Sequence, residues 1–304
     1  MEEKNRIIED KITFLHIIYS IWGWFTFILV NIIQFCIAPF ILLVTFPFDK
    51  DRKVMAYLIK FFCNIFYFLN FLQKNHYDFN GLKAPKKGER RIYVINHSSM
   101  FDSIIIYSLP GAIKALMKEA YLSIPLVGWI SYLAGNVVLK ASTSDGMKIY
   151  FDVIKKLESG SPFVIFPEGT KSKDSKIGRF YNGIFRIALE TKSDIVPVLF
   201  DTWNSIRPGA FWIRDTKIHI KMLETIKYED IKDYSMDKLS NIVRYKMIEG
   251  LVDLRNKRRM NEKNYYRKNP KYEKLDQEMK DDLVKIKEKI ESKNKKGLPT
   301  NQPS

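Results

Sequence analysis

Two side chains, His97 and Asp102, have the chemical types and the closeness in sequence to move a proton. They sit in Arg91-Ile-Tyr-Val-Ile-Asn-His-Ser-Ser-Met-Phe-Asp-Ser-Ile-Ile-Ile-Tyr107, where an apolar, strand-like run enters a polar turn that opens a helix. On one continuous helix, side chains at this separation point about 140° apart, too far for contact. With His97 in the turn and Asp102 in the first helical turn, the carboxylate folds back onto the imidazole. It then fixes the tautomer and raises the basicity of the ring, leaving the other nitrogen to take a proton from a hydroxyl. An alcohol activated in this way needs no separate Ser or Cys nucleophile. The residues also have a plainer reading. Ser99-Met-Phe-Asp102 fits a helix capping box, in which Asp102 accepts backbone N–H groups and does no chemistry, and spacing alone favours the cap.

A second segment, Ser161-Pro-Phe-Val-Ile-Phe-Pro-Glu-Gly-Thr-Lys-Ser172, reads as a buried strand ending at Pro-Glu-Gly. Gly169 allows a sharp turn or a close approach of the backbone to a ligand. Glu168, Thr170 and Lys171 then stand at the carboxyl end of a strand, where open α/β sheets place their ligands. A Thr hydroxyl, a Lys ammonium and turn N–H groups together suit a phosphate monoester. The competing reading is an ordinary β-turn with a solvated Lys.

The elements that must position these residues alternate in type. Candidate strands are Arg91–Ile95, Ala112–Met117, Val137–Leu139, Pro162–Phe166, Ile195–Phe200 and Lys217–Met222. Helical stretches run over Gly146–Glu158, Gly178–Thr191 and Met236–Arg259. This alternation predicts an α/β fold, a mixed central sheet flanked by helices. In front of it, no Asp, Glu, Lys or Arg occurs in the 35 residues from Phe14 to Phe48. About 20 such residues cross a bilayer as a helix. Pro39 and Pro47 are expected to break any single straight helix there. Val54–Leu72, which contains Lys60, reads as an interfacial or buried helix. The domain expectation is therefore membrane-anchoring helices over 1–76, an α/β domain over 77–259 and a Lys-rich tail over 260–304. Within that tail a charged helix is expected near Glu273–Glu291, before a low-complexity end.

Lys and Arg number 50 against 34 acids, a net charge of +16 that favours anionic partners. The excess lies in the body and tail: residues 81–225 carry 21 basic against 13 acidic side chains, residues 226–304 carry 21 against 14, and residues 1–80 carry 8 against 7. No nucleic-acid motif with interleaved aromatics accompanies the charge, so no nucleic-acid partner is expected, and a lipid-facing surface accounts for it as well. The only cysteines, Cys36 and Cys63, form no disulfide framework or metal pattern. No His/Asp/Glu cluster has ligand spacing, so no metal is expected. His16 and His76 lie in or beside aromatic-rich stretches, and His219 reads as a solvent-facing strand position.

With these motifs in place, the chain resembles the glycerolipid acyltransferase family, whose best-known members are lysophosphatidic acid acyltransferases. Asn96-His97 followed by Asp102 resembles the family's catalytic block, and Phe166-Pro-Glu-Gly-Thr-Lys-Ser172 its substrate-phosphate block. Lys118-Glu-Ala-Tyr-Leu-Ser-Ile-Pro-Leu-Val-Gly-Trp129, running on to Gly135-Asn-Val-Val-Leu139, is similar to the intervening block, and Ile195-Val-Pro-Val198 to the fourth. The resemblance implies that His97 is a general base on the acceptor hydroxyl and that Asp102 orients it. It implies that Asn96, Glu168, Gly169, Thr170 and Lys171 contact the substrate phosphate or shape its site, with Lys140 a possible further cation. It implies an apolar acyl tunnel, for which Pro125, Gly128 and Trp129 are candidates. Acyl-CoA or an acylated carrier protein would be the co-substrate, with no bound cofactor. A lysophospholipid would be the acceptor, and the setting would be the cytoplasmic side of the cell's inner membrane. Two departures bear on the acceptor. Lys171 stands where the family usually has Arg and cannot make a planar two-pronged contact. Ala141 stands where a basic residue is common, with Lys140 beside it on the opposite face of an extended chain. An acceptor other than 1-acyl-glycerol 3-phosphate, such as glycerol 3-phosphate or another lysolipid, stays open. So does a non-enzymatic role as a basic membrane adaptor or nucleic-acid binder.

Overall fold

In a computed structural model that describes residues 12–70, 74–140, 146–214, 217–262 and 270–296, the apolar runs line up as one mixed sheet. Its strands are β1 (Lys74–Asp78), β2 (Arg91–Ile95), β3 (Lys114–Lys118), β4 (Val137–Leu139), β5 (Phe163–Ile165), β6 (Asp194–Asp201) and β7 (Lys217–Met222). They lie in the order β1-β7-β6-β2-β5-β3-β4, and every neighbouring pair is parallel except β6 with β7. β2 sits near the middle and is buried at all five positions, as a parallel strand covered on both faces must be. The polar β1, Lys-Asn-His-Tyr-Asp, has no apolar alternation to announce it. It exists because β7 offers an edge to pair with.

The helices are α1 (Phe14–Thr45), α2 (Lys53–Leu69), α3 (Asp102–Ile105), α4 (Val127–Leu133), α5 (Gly146–Glu158), α6 (Gly183–Glu190), α7 (Tyr228–Ile231), α8 (Met236–Asn261) and α9 (Pro270–Lys296). Strand periodicity sorts the sheet's side chains to two faces. Tyr93, Ile95, Val164, Val198 and Phe200 join the core under α1 and α2. Ile92, Val94, Phe163, Ile165 and Leu199 join the core under α5, α6, α8 and α9. The helices in front of the domain thus form one of its two covering layers, and the 76/77 boundary falls inside β1. The charged tail helix packs on the other layer through Met279 and Ile286, and is longer than its sequence suggests.

Pro39 does not break α1, which runs unbroken for 32 residues with that proline inside. The lost backbone bond is tolerated because Gln34, Ala38 and Thr45 on the same side of the helix are buried against the domain. Helix α1 does end two residues before Pro47: Phe46 keeps helical dihedrals (φ −51°, ψ −40°) and still bonds Leu42, and Pro47 has no N–H with which to continue the ladder. Lys60 on α2 is no surface charge either: its ammonium donates to the carbonyls of Ser108 (3.4 Å) and Leu109 (3.1 Å).

α1 is inside-out for a helix in water. It turns Ser20, Gly23, Thr26 and Gln34 toward the protein. It turns Ile18, Trp22, Phe25, Ile28, Ile32, Phe40 and Leu43 outward. The domain grips it near both ends. Ser20 accepts from the Ile213 N–H at 2.8 Å, and the Trp24 indole donates to the Phe211 carbonyl at 2.9 Å. Farther along, Phe35 packs on Trp129 with ring centres 5.5 Å apart.

Candidate active site

The site is built at the carboxyl end of β2. Asn96 closes the strand: its amide donates to the Phe200 carbonyl (2.9 Å) and accepts from the Phe200 N–H (2.8 Å). Both ends of that side chain are engaged, so Asn96 fixes where the chain leaves the sheet and is not free for a substrate phosphate. His97 follows in the turn and Asp102 opens α3.

Asp102 is fully buried and saturated with donors. One carboxylate oxygen accepts from the N–H groups of Ser98 (2.7 Å) and Ser99 (2.8 Å) and meets His97 Nδ1 at 2.8 Å. The other accepts the Thr202 hydroxyl at 2.5 Å. The two readings of this residue are therefore both realised, since it organises the helix entry and holds the histidine. With an acceptor facing it, Nδ1 carries the proton, and Nε2 is left with its lone pair as the basic atom. Phe166 stacks on the imidazole with ring centres 4.1 Å apart, fixing the plane of the ring.

The second motif locks the first. Glu168 accepts the His97 N–H at 3.0 Å with one oxygen and the Gly178 N–H at 2.8 Å with the other. The Ser172 N–H donates to the His97 carbonyl at 2.7 Å. Seventy-odd residues of sequence collapse here because β2 and β5 are neighbours in the sheet. Burial pushes the Glu168 carboxyl up to about 7, against the two N–H donors that favour its charged form, and the nearby Asp102 charge adds to the rise. Glu168 thus shapes the site from behind the histidine.

Gly169 turns with φ +68°, a conformation that favours glycine, and an added Cβ would lie 2.9 Å from the Tyr181 ring. Thr170 is exposed beside it. Lys171 donates to the Tyr121 hydroxyl at 3.0 Å and lies over that ring, which draws the intervening motif to the Glu-Gly turn. Lys140 is exposed at the end of β4, the far edge of the sheet, separated from β2 by β5 and β3. Ala141 lies outside the described residues.

The residues expected to line an acyl tunnel fall on or beside the right helix and on the wrong faces of it. An apolar crevice opens between α1, α2, α3 and α4, next to Asp102, and is lined in part by Phe27, Val30, Phe62, Ile104 and Ile130. Pro125, Gly128 and Trp129 do not line it. Gly128 instead permits close packing, since any Cβ there would collide with the Tyr121 carbonyl. Trp129 is 44% exposed beside Phe35. His219 is also not a solvent-facing position: it pairs with Glu262 at 2.9 Å and stacks on His76, and burial with Arg258 nearby lowers its pKa to about 4. Phe166 and Tyr121 stand in the sequence motifs without a role of their own and Thr202 lies outside them, because each acts through a strand neighbour or turn distant along the chain.

Residues 76–201 match the sequence model of the acyltransferase family. A chloroplastic 1-acyl-sn-glycerol-3-phosphate acyltransferase of Arabidopsis thaliana is 30% identical over 223 residues, 70% of this chain and 58% of the relative. A protein of Borreliella burgdorferi named 1-acyl-sn-glycerol-3-phosphate acyltransferase is 26% identical over 174 residues, 56% of this chain and 69% of the relative. The chain spans about half the length of the first curated relatives it matches, from 48% to 58%. The crystal structure of the 1-acyl-sn-glycerophosphate acyltransferase PlsC from Thermotoga maritima has the same fold. Its TM-score is 0.67 at 22% identity, over 79% of this chain and 96% of that one.

Proposed function

We propose that this chain, which carries an acyltransferase-family domain across residues 76–201, moves a fatty acyl group from a thioester to the sn-2 hydroxyl of a 1-acyl-glycerol 3-phosphate. The product is phosphatidic acid, a precursor in phospholipid synthesis. The observation that carries the reading is the doubly locked histidine. Asp102 holds Nδ1, while Glu168 and Ser172 hold the backbone on either side of the ring. Nε2 accepts the proton as the acceptor hydroxyl attacks the thioester carbonyl. When the tetrahedral adduct collapses, the thiol of coenzyme A or acyl carrier protein leaves and takes that proton back from His97. The names of the relatives support lysophosphatidate as acceptor.

The outward apolar face of α1 supports attachment to a membrane, where the lysolipid resides. A helix of 32 residues is about 48 Å long, enough to cross a bilayer. The domain's grip near both of its ends favours a helix lying along the surface. The crevice between α1 and α4, beside Asp102, holds about 50 Å³, less than a fatty acyl chain fills, so a chain seated there requires α1 and α4 to part. The cytoplasmic side of the cell membrane is the setting we favour, in keeping with the free thiols Cys36 and Cys63. Thr170 and Lys171 are the candidate phosphate contacts. Because Lys171 is already bonded to Tyr121, glycerol 3-phosphate or another lysolipid is the second reading for the acceptor.

The test is transfer of a labelled acyl group from acyl-CoA and, separately, from acyl carrier protein by the purified full chain, in detergent or liposomes, across a panel of lysolipids and glycerol 3-phosphate. Phosphatidate formed from the lysophosphatidate is the expected product. Transfer confined to another acceptor selects the second reading, and no transfer to any acceptor overturns the enzyme.

A further inference from the structure

Behind the site lie buried charges that the proton transfer does not use: Asp201, Arg255, Arg258 and Asp276. Arg255 and Arg258 of α8 close on Asp201, the last residue of β6, at 3.3 and 2.8 Å. Arg255 also donates to the Ser175 carbonyl at 2.9 Å and meets Asp276 of α9 at 3.5 Å. Withdrawing such charges from water offsets much of what their attraction contributes, and apolar side chains of similar volume often serve stability as well. What the ions add here is a fixed geometry. Donors from successive turns of α8 reach the two oxygens of one carboxylate, so Asp201 is held in a single orientation.

The next residue carries that geometry to the histidine. Side chains alternate along extended chain, so Asp201 turns to α8 while Thr202 turns to Asp102. The Thr202 hydroxyl donates to one oxygen of Asp102, and His97 Nδ1 meets the other. Thr202 is itself fixed: the Ser98 hydroxyl lies 3.0 Å from its own, and the Ser205 hydroxyl donates to its carbonyl at 2.6 Å. The remaining contacts to Asp102 among the described residues, the Ser98 and Ser99 N–H groups and the imidazole, belong to the turn that carries His97 and move with it. Thr202 is what ties the carboxylate to the sheet. Without that hydroxyl one oxygen of Asp102 is buried with no donor, and the carboxylate is free to turn away from Nδ1.

Resting on the acyltransferase reading above, we propose that Asp201 and Thr202 are positioning residues for the reaction. Arg255 and Arg258 lock Asp201, Asp201 sets the end of β6, and the Thr202 hydroxyl holds the Asp102 carboxylate in plane with His97 Nδ1. The lock comes from α8 and is braced by α9, both beyond residues 76–201 that match the family model. A misaligned carboxylate leaves the substrates bound as before and His97 poorly aimed at the hydroxyl, so the loss falls on turnover.

The experiment compares the full chain with Thr202→Val, Thr202→Ser and Asp201→Asn, each checked for folding by circular dichroism. Thr202→Val keeps the shape and removes the donor. It should lower kcat about tenfold, the worth of one hydrogen bond to a charged group, and leave the KM for thioester and lysolipid unchanged. Thr202→Ser, which keeps the hydroxyl, should restore most of the rate. Asp201→Asn should show the same split, and adding it to Thr202→Val should cost nothing further, because the two act in series. The low-field proton resonance of His97 Nδ1–H, assigned by its loss in His97→Ala, needs no turnover and separates this proposal from the enzymatic one. It should be displaced in Thr202→Val and Asp201→Asn and return to its place in Thr202→Ser. That pattern supports the positioning role even in a protein that transfers nothing. A resonance unmoved in Thr202→Val, a raised KM with kcat kept, or additive losses in the double variant would each overturn the assignment. If Asp201→Asn does not fold, the Thr202→Val and Thr202→Ser pair decides alone.

Discussion

On one face of the sheet α1 hides Ser20, Gly23, Thr26 and Gln34 and shows Ile28, Ile32 and Leu43. On the other face α8 hides Leu239, Val243, Met247 and Leu251, and the charged α9 lies over it with Arg244–Asp282 and Lys176–Glu278 pairs. Both layers bury one side of the same sheet, yet their outer surfaces differ in kind, one apolar and the other charged. A helix that hides its small and polar side chains and shows large apolar ones gains little from water, and is stable where its outer face meets hydrocarbon. The opposite layer follows the ordinary pattern, apolar inward and charged outward. His97 sits between them. Its ring rests on Phe166, which packs with the α1 core, and its backbone is held by Glu168, which reaches to the α8 side.

The largest expected effect comes from spoiling the inside-out layer. Ile28→Lys with Ile32→Lys places two charges on the outer face of α1, at about 2.5–3.5 kcal/mol each if the face is in hydrocarbon. Sedimentation with zwitterionic vesicles, which the net charge of +16 does not attract, should be lost while the unfolding midpoint stays put. Retained vesicle binding would mean that the face serves something other than lipid. The reverse pattern is expected from Phe185→Ala in the other layer, where the ring is fully buried. Truncation there should cost about 3–5 kcal/mol in chemical unfolding without changing vesicle binding of the folded fraction. If Phe185→Ala released the protein from vesicles, the division of labour between the layers would be wrong.

Glu168, the link between the two, gives a smaller and pH-dependent effect. Folded, it ionises near 7; unfolded, near 4.5, so the folded state holds the extra proton between those values. Stability then falls as pH rises through that window, by roughly 3 kcal/mol in all. Urea unfolding of the wild type between pH 4.5 and 7 should show this slope, and Glu168→Gln should lack it. Identical slopes in the two proteins would show that the carboxyl ionises freely.

Much of this was legible beforehand, and the failures have physical causes. The strand runs, the Gly146–Glu158 helix and the His97–Asp102 pair were visible because periodicity and turn chemistry are local. Asp102 looked like either a cap or a catalytic partner because one carboxylate has room for both sets of donors. The role of Glu168 as a clamp was invisible, since its partner is a backbone N–H 71 residues away that only the β2–β5 pairing brings near. Thr202 was missed for the same reason, through β6. Asn96 looked like a substrate contact and closes the sheet instead. Trp129 and Gly128 were read as tunnel walls because apolar residues near a site suggest a pocket, whereas one packs on Phe35 and the other lets α4 approach Tyr121.

The most direct test of the central claim is the rate of phosphatidate formation by purified His97→Ala, alongside wild type matched for circular dichroism and vesicle binding. Loss of the base should lower turnover by about 10²–10⁴-fold with fold and membrane binding unchanged. Turnover at the wild-type rate would contradict the assignment of His97 as the group that takes the acceptor's proton.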